Sequence, residues 1–186
     1  MTGTQFGRAT DPIRARLAWC TLALAVALAR IPAVAAEELP EYRLKALFVY
    51  NFALYTEWPE EVGTTLGLCV YGPDPFGSEI DVLRGKGVGS RNISIQRKQL
   101  GEPLDSCQIV FITREALHAI PRVLEQLRGS PALLIADSPD ATSRGVALNI
   151  SVSFGKLTFE ANLTAARAAG VDLSSKLLRL ATRVIQ

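Results

Sequence analysis

The chain has 186 residues, with 20 Lys plus Arg against 18 Asp plus Glu and 48% apolar residues, enough for one well-filled core. The formal charge of +2 misleads, because residues 1–36 read as an export leader carrying four Arg and one Asp. Removing these leaves 16 basic and 17 acidic residues, a charge of −1, which excludes a nucleic-acid binder relying on a basic face to release counterions.

The leader has three parts in the expected order. Arg8, Arg14 and Arg16 form a basic start, Leu17 to Ala29 is an uncharged apolar run, and Ala33-Val34-Ala35-Ala36 supplies the small residues of a cleavage site. A membrane span needs about 20 apolar residues, and this run is stopped short by Arg30 and Pro32. Residues 37–186 are therefore expected as a single exported domain. After cleavage it should have no direct insertion into a membrane.

Glu41 to Trp58 reads as the first helix, ended by Pro59. At 100° per residue, Leu44, Leu47, Phe48, Asn51, Tyr55 and Trp58 share one face, taken as the core face, with Ala46, Val49 and Ala53 opposite. No charge occurs between Lys45 and Glu57, so most of the circumference should be covered. Tyr50 and Phe52 flank the expected core face. Aromatics placed there are candidates for binding a protein partner.

Leu66 to Tyr71 is an apolar strand, followed by Gly72-Pro73-Asp74-Pro75-Phe76-Gly77 and a helix from about Pro75 to Arg84. Ile93 and Ile95 mark a half-buried strand, Gln108 to Thr113 a fully apolar one. A helix over Arg114 to Arg128 leads to a fourth strand, Ala132 to Ala136. Gly145 to Ser153 and Lys156 to Glu160 form a hairpin through Phe154-Gly155. A short helix spans Asn162 to Ala169, and a last one Leu173 to Val184. Its Leu173, Leu177 and Leu180 are expected in the core, and its Lys176, Arg179 and Arg183 near a favourable C-terminal dipole. Strands alternating with helices give a three-layer α/β/α domain: a mainly parallel sheet, with the C-terminal hairpin extending one edge antiparallel.

The chemistry-bearing residues are sparse. In open α/β sheets, ligands bind beyond the carboxyl ends of strands, which singles out Gly72, Asp74 and Gly77 in the first loop and Asp137 after the fourth strand. The loop lacks any phosphate-binding glycine pattern, so the plainer alternative is a rigid turn with Asp74 as a helix cap. His118 has no evident nucleophile or CxxC beside it, and GxSxG is absent. No catalytic, metal or cofactor assignment follows. Once Cys20 leaves with the leader, Cys69 and Cys107 remain. They are either two buried thiols or one bridge closing a 38-residue loop in an oxidising compartment.

Several segments, in order, resemble the YfiR-like periplasmic proteins. They are Lys45 with Phe48-Val49-Tyr50-Asn51-Phe52 and Thr56-Glu57-Trp58-Pro59; Leu68-Cys69-Val70 with Asp74-Pro75-Phe76-Gly77; Cys107 to Ile112; Phe159 to Leu163 with Ala165-Ala166-Arg167; and Leu173 to Leu178. The resemblance implies a periplasmic repressor that binds the periplasmic domain of an inner-membrane diguanylate cyclase and so controls cyclic di-GMP and biofilm formation. It implies no enzymatic activity, matches Cys69 and Cys107 to a family cysteine pair, and is compatible with a homodimer. A second cysteine pair that some relatives carry near the late hairpin is missing here. The alternative is a small-molecule sensor using the strand-end cleft near Gly72 and Asp137. If the leader is read correctly, N-terminal sequencing of exported protein begins at Ala36 or Glu37; an intact Met1 on a membrane-bound product would refute it.

Overall fold

A computed structural model describes residues 41–153 and 155–186, so the leader lies outside the described residues. The described residues begin with helix α1 (Glu41–Leu54) and a two-residue strand β1 (Thr56–Glu57). Strands β2 (Thr65–Tyr71), β3 (Gly87–Val88), β4 (Arg91–Lys98), β5 (Ile109–Ile112), β6 (Leu133–Ala136), β7 (Leu148–Ser153) and β8 (Lys156–Asn162) follow. The remaining elements are helix α2 (Ile120–Gln126) between β5 and β6, helix α3 (Leu163–Ala168), strand β9 (Asp172–Leu173), the one-turn helix α4 (Ser175–Leu178) and strand β10 (Arg183–Ile185).

The main sheet runs in the order β10-β8-β7-β6-β5-β2-β4-β3. The five strands from β7 to β4 are parallel, while β8 pairs antiparallel with β7 and β3 antiparallel with β4. Alternation along the buried strands splits the core in two. Leu66, Leu68 and Val70 of β2, with Ile109 and Phe111 of β5, face α1 and α3; Cys69, Tyr71, Val110 and Ile112 face α2. The expected three-layer α/β/α architecture is thus observed.

The elements differ from expectation where tertiary partners override local signals. Helix α1 stops at Leu54, five residues before Pro59. Its last turn is closed by side chains: Thr56 Oγ1 donates to Phe52 O at 2.7 Å and Trp58 Nε1 to Ala53 O at 3.0 Å. The chain then pairs β1 with β9. The core face of α1 is also the opposite of the expected one. Lys45, Ala46, Val49, Phe52 and Ala53 are buried, whereas Leu47, Asn51 and Tyr55 are exposed and Phe48 is half-buried. Small residues bring the helix close to the sheet.

The segment after β5 is broken. A 3-10 stretch covers Arg114–Ala119, and α2 restarts with Pro121 in its first turn, where the missing N–H is tolerated. The expected helix after the first loop is a 3-10 stretch, Gly77–Leu83, and Asp74 does not cap it. The long last helix is replaced by α4 and β10. Ser174 Oγ caps α4 by accepting from Leu177 N, and Arg183, Val184 and Ile185 pair parallel with Glu160, Ala161 and Asn162. β-branched Thr182, Val184 and Ile185 suit a strand, and β8 offers an open edge. That edge is not the end of the sheet, as expected for the hairpin, because β10 lies beyond it.

Cys69 and Cys107 form a disulfide with Cα atoms 5.7 Å apart. It ties β2 to the segment just before its neighbour β5. Close approach there also needs Gly67, whose added Cβ would fall 1.9 Å from Ser106 O. In chain-entropy terms the bridge stabilises by about 3–4 kcal/mol. Cys69→Ser or Cys107→Ser is expected to cost roughly 2–5 kcal/mol by urea unfolding. Two reactive thiols in the denatured, unreduced protein would contradict the bridge.

Candidate functional site

Two concave features stand out. The first is a cleft of about 420 Å³ beyond the carboxyl ends of β6 and β7, lined by Lys45, Arg114, Asp137, Ser138, Asn149 and Glu160 among others. Asp137 follows the buried run Leu133–Ala136 directly, so its side chain is held at the strand end, 1% exposed. Lys45 of α1 is equally buried and forms an ion pair with Asp137 Oδ2, while also reaching Glu41 one turn earlier. Tyr42 Oη donates to the same Oδ2 at 3.2 Å, and the Lys45 ammonium lies 4.2 Å from the Tyr42 ring centre. Arg114 Nε donates to Asp137 O at 3.2 Å.

Burial alone would push the Lys45 ammonium down. Its hydrogen bonds to Asp137 and Glu41 outweigh that and hold it above its ordinary value of 10.5. The Glu41 carboxyl is lowered by its hydrogen bond to Lys45. Tyr42 is raised by burial and by the charge of Asp137, which keeps its phenol protonated. The other Asp137 oxygen, Oδ1, is buried without a hydrogen-bond partner among the described residues. The nearest cation paired with it, Arg114 Nε, is 3.8 Å away. Ser138 Oγ is likewise buried and unpartnered, although Ser138 N is fixed by Asn149 Oδ1 at 3.0 Å. The cleft can therefore offer an acceptor and a hydroxyl to a small polar molecule.

The first-loop residues do not join this cleft. Gly72 has φ +106°, and an added Cβ would lie 2.4 Å from Thr113 Oγ1 and 2.8 Å from the Ala116 Cβ, so it closes the chain against the next strand end. Asp74 accepts from Phe76 N at 2.7 Å and from Arg97 Nε at 2.7 Å. Arg97 also binds Gly77 O and Asp81. These contacts raise Arg97 and lower Asp81, and they clamp the loop as a structural turn. Of the four loop and strand-end candidates, only Asp137 lines the cleft.

The second feature is an apolar groove of about 420 Å³ between α1, β8 and the C-terminal segment. Its floor is a trio of rings. Phe52 lies 5.0 Å from Phe159 and 5.9 Å from Phe48, and Phe48 lies 6.3 Å from Phe159. Tyr55 (37% exposed) and Leu180 (69%) form its rim. Neither of the two interface candidates on α1 lies on this rim. Phe52 is only 1% exposed and belongs to the floor, and half-buried Tyr50 donates its hydroxyl to Gly87 O at 2.9 Å, away from the groove. Sequence reasoning missed Leu180 by placing it in a core stripe.

The α/β domain thus carries a polar cleft at the strand ends and an apolar groove beside α1. The chain belongs to the YfiR/HmsC-like family, whose model matches residues 42–182. Members of this family are periplasmic regulators of cyclic di-GMP signalling rather than enzymes. Among the described residues no helix is long and apolar enough to cross a membrane. The fold is similar to that of a conserved domain protein from Vibrio cholerae, at TM-score 0.53 and 11% identity over 78% of this chain. It is also similar to an ABC domain from Streptococcus pneumonia in complex with L-Trp, at TM-score 0.53 and 8% identity over 77% of this chain. The chain spans 60% of the length of each of these structures.

The buried pair makes a checkable prediction. Lys45→Met leaves the Asp137 carboxylate buried without its ammonium partner and should cost about 3–5 kcal/mol in urea unfolding. Lys45→Met with Asp137→Leu should recover much of that loss. The pH dependence has two arms. Lys45, raised, contributes stability fully present below 10.5 and lost as pH rises through its higher folded value. Glu41, lowered, contributes stability present above 4.5 and lost as pH falls through its lower folded value. Between about pH 5 and pH 10 the difference between the wild type and the Lys45→Met, Asp137→Leu double variant should stay flat. A difference that collapses near neutral pH would contradict this assignment.

Proposed function

We propose that this chain is an exported inhibitory binding protein that represses an inner-membrane diguanylate cyclase, and that it docks on the cyclase's periplasmic domain through the apolar groove. The observation that carries the reading is Leu180, a large aliphatic side chain 69% exposed at the mouth of a groove floored by three phenylalanines. An exposed apolar rim around an aromatic floor is the form of a protein hot spot: a side chain from the partner would fill it and exclude water. Family membership supplies the signalling context. Repression needs only binding, so it requires none of the catalytic groups that the sequence lacks. Release of the cyclase would raise cyclic di-GMP and favour biofilm.

The strand-end cleft supports a second reading, a sensor of a small periplasmic molecule. Its support is the pair of unpartnered buried oxygens, Asp137 Oδ1 and Ser138 Oγ. On this reading a small polar ligand raises the melting temperature of the wild type and not of Asp137→Asn.

For the main reading, Leu180→Asp should leave the melting temperature nearly unchanged, because that side chain is 69% exposed, and Tyr55→Ala, at 37% exposed, should lower it only modestly. At least one should weaken binding to the cyclase's periplasmic domain by about 2 kcal/mol, roughly thirtyfold. The same variant should raise cellular cyclic di-GMP at a normal periplasmic protein level. Phe52→Ala should instead unfold the domain, at about 3–5 kcal/mol. Wild-type repression by both rim variants would place the interface elsewhere.

A further inference from the structure

Resting on the groove as the docking site, the chemistry around it specifies the occupant further. Two cations are immediate chain neighbours of groove residues on the C-terminal segment: Lys176 precedes Leu177, and Arg179 precedes Leu180. Both are exposed, and neither is ion-paired with a carboxylate among the described residues. The helix-dipole account expected from the sequence does not explain them, because α4 is a single turn of four residues. On the α1 side, the groove-lining Phe48, Asn51, Phe52 and Tyr55 carry no charge. Elsewhere some surface cations are matched, Arg97 with Asp74 and Asp81, Arg84 with Asp81, Arg128 with Glu125 and Arg167 with Asp172. Others, such as Lys86 and Arg122, have no carboxylate partner among the described residues but lie away from any groove-lining residue.

We infer that the groove takes an apolar segment of a protein partner whose flank is acidic, with the apolar residues seated on Phe48, Phe52 and Phe159 and the carboxylates facing Lys176 and Arg179. Charge complementarity selects this occupant over a basic one. Concavity selects it over a lipid surface, since a cavity of about 420 Å³ floored by edge-packed rings accepts inserted side chains rather than a flat bilayer. The mature charge near zero gives no global attraction, so orientation falls to these two local cations, which act within about a Debye length of 8–10 Å.

The test uses the full mature chain and two fluorescein-labelled helical peptides. Both carry the same Leu and Phe at i, i+3/i+4 and i+7; one has Glu and the other Lys on the flank. Fluorescence anisotropy should show the Glu peptide binding at least tenfold more tightly, with the margin shrinking as salt rises. Leu180→Asp should abolish binding of the Glu peptide. Lys176→Glu with Arg179→Glu should reduce it three- to tenfold without changing the melting temperature, and should reverse the preference toward the Lys peptide. Equal binding of the two peptides overturns the inference, as does indifference of the Glu peptide to the double charge variant. Leu180-dependent binding to phosphatidylglycerol vesicles with no peptide binding also overturns it, in favour of a membrane surface. If the peptide results hold while cellular cyclic di-GMP ignores Leu180→Asp, the groove chemistry stands and the cyclase target is wrong. If cyclic di-GMP responds to Leu180→Asp but both peptides bind equally, docking stands and the acidic flank is wrong.

Discussion

The geometry of this domain follows from one buried pair of opposite charges. Lys45 and Asp137 are 92 residues apart and each about 1% exposed on its side chain. A lone buried charge costs several kcal/mol, so neither residue can stay inside without the other. Their pairing fixes the rotation of α1 on the sheet. With Lys45 turned inward, Ala46, Val49, Phe52 and Ala53 follow it at helical spacing, and Tyr55 and Leu47 are turned out. The rotation leaves Phe48 half in and half out, on the groove side of the core. The polar cleft and the apolar groove are thus two consequences of the same contact: one end of α1 supplies Lys45 to the cleft, and the other supplies the rings and the rim of the groove.

This explains which parts of the fold were legible in the sequence. Strands β2, β5 and β6 are unbroken apolar runs because both faces are covered, and no tertiary detail is needed to find them. Neighbouring positions of β2 and β5 made the bridge between Cys69 and Cys107 sterically reasonable. The orientation of α1 was not legible. A helix without charges from residue 46 to 56 has apolar residues all round, and periodicity alone cannot choose its buried side. The contact that decides it, Lys45 with Asp137, joins residues 92 apart and is invisible to a local pattern. The C-terminal segment failed for a different reason. Leu173 to Val184 has helical spacing of its leucines, but the free edge of β8 offers Phe159 O to Thr182, through both backbone N and Oγ1 at 2.9 Å. The strand wins over a helix that would leave that edge open.

The site was legible in part. Asp137 could be read from its place after a buried strand, because ligands in such sheets gather at carboxyl ends. Gly72, Asp74 and Gly77 satisfied the same rule and serve structure instead. The difference lies in partners far along the chain: Thr113 and Ala116 fill the space over Gly72, and Arg97 satisfies Asp74. Lys45 was visible as the last charge before a long uncharged stretch, and Asp137 as the first charge after one. Two such charges at the borders of apolar tracts are a pattern that a search for buried ion pairs can use.

The groove shows why a weak net charge does not make a protein electrostatically silent. The charge of −1 expected after export sums many surface pairs that cancel locally, such as Arg97 with Asp74 and Asp81. Paired charges produce little field beyond a few ångströms in salt, and they contribute little to affinity. What a partner meets is the remainder that is not cancelled. On this domain part of that remainder sits beside the apolar groove, where Lys176 and Arg179 adjoin Leu177 and Leu180 in the chain. Apolar burial there can supply affinity while the cations supply register, a division of labour in which neither the rings nor the charges alone would distinguish one apolar segment from another.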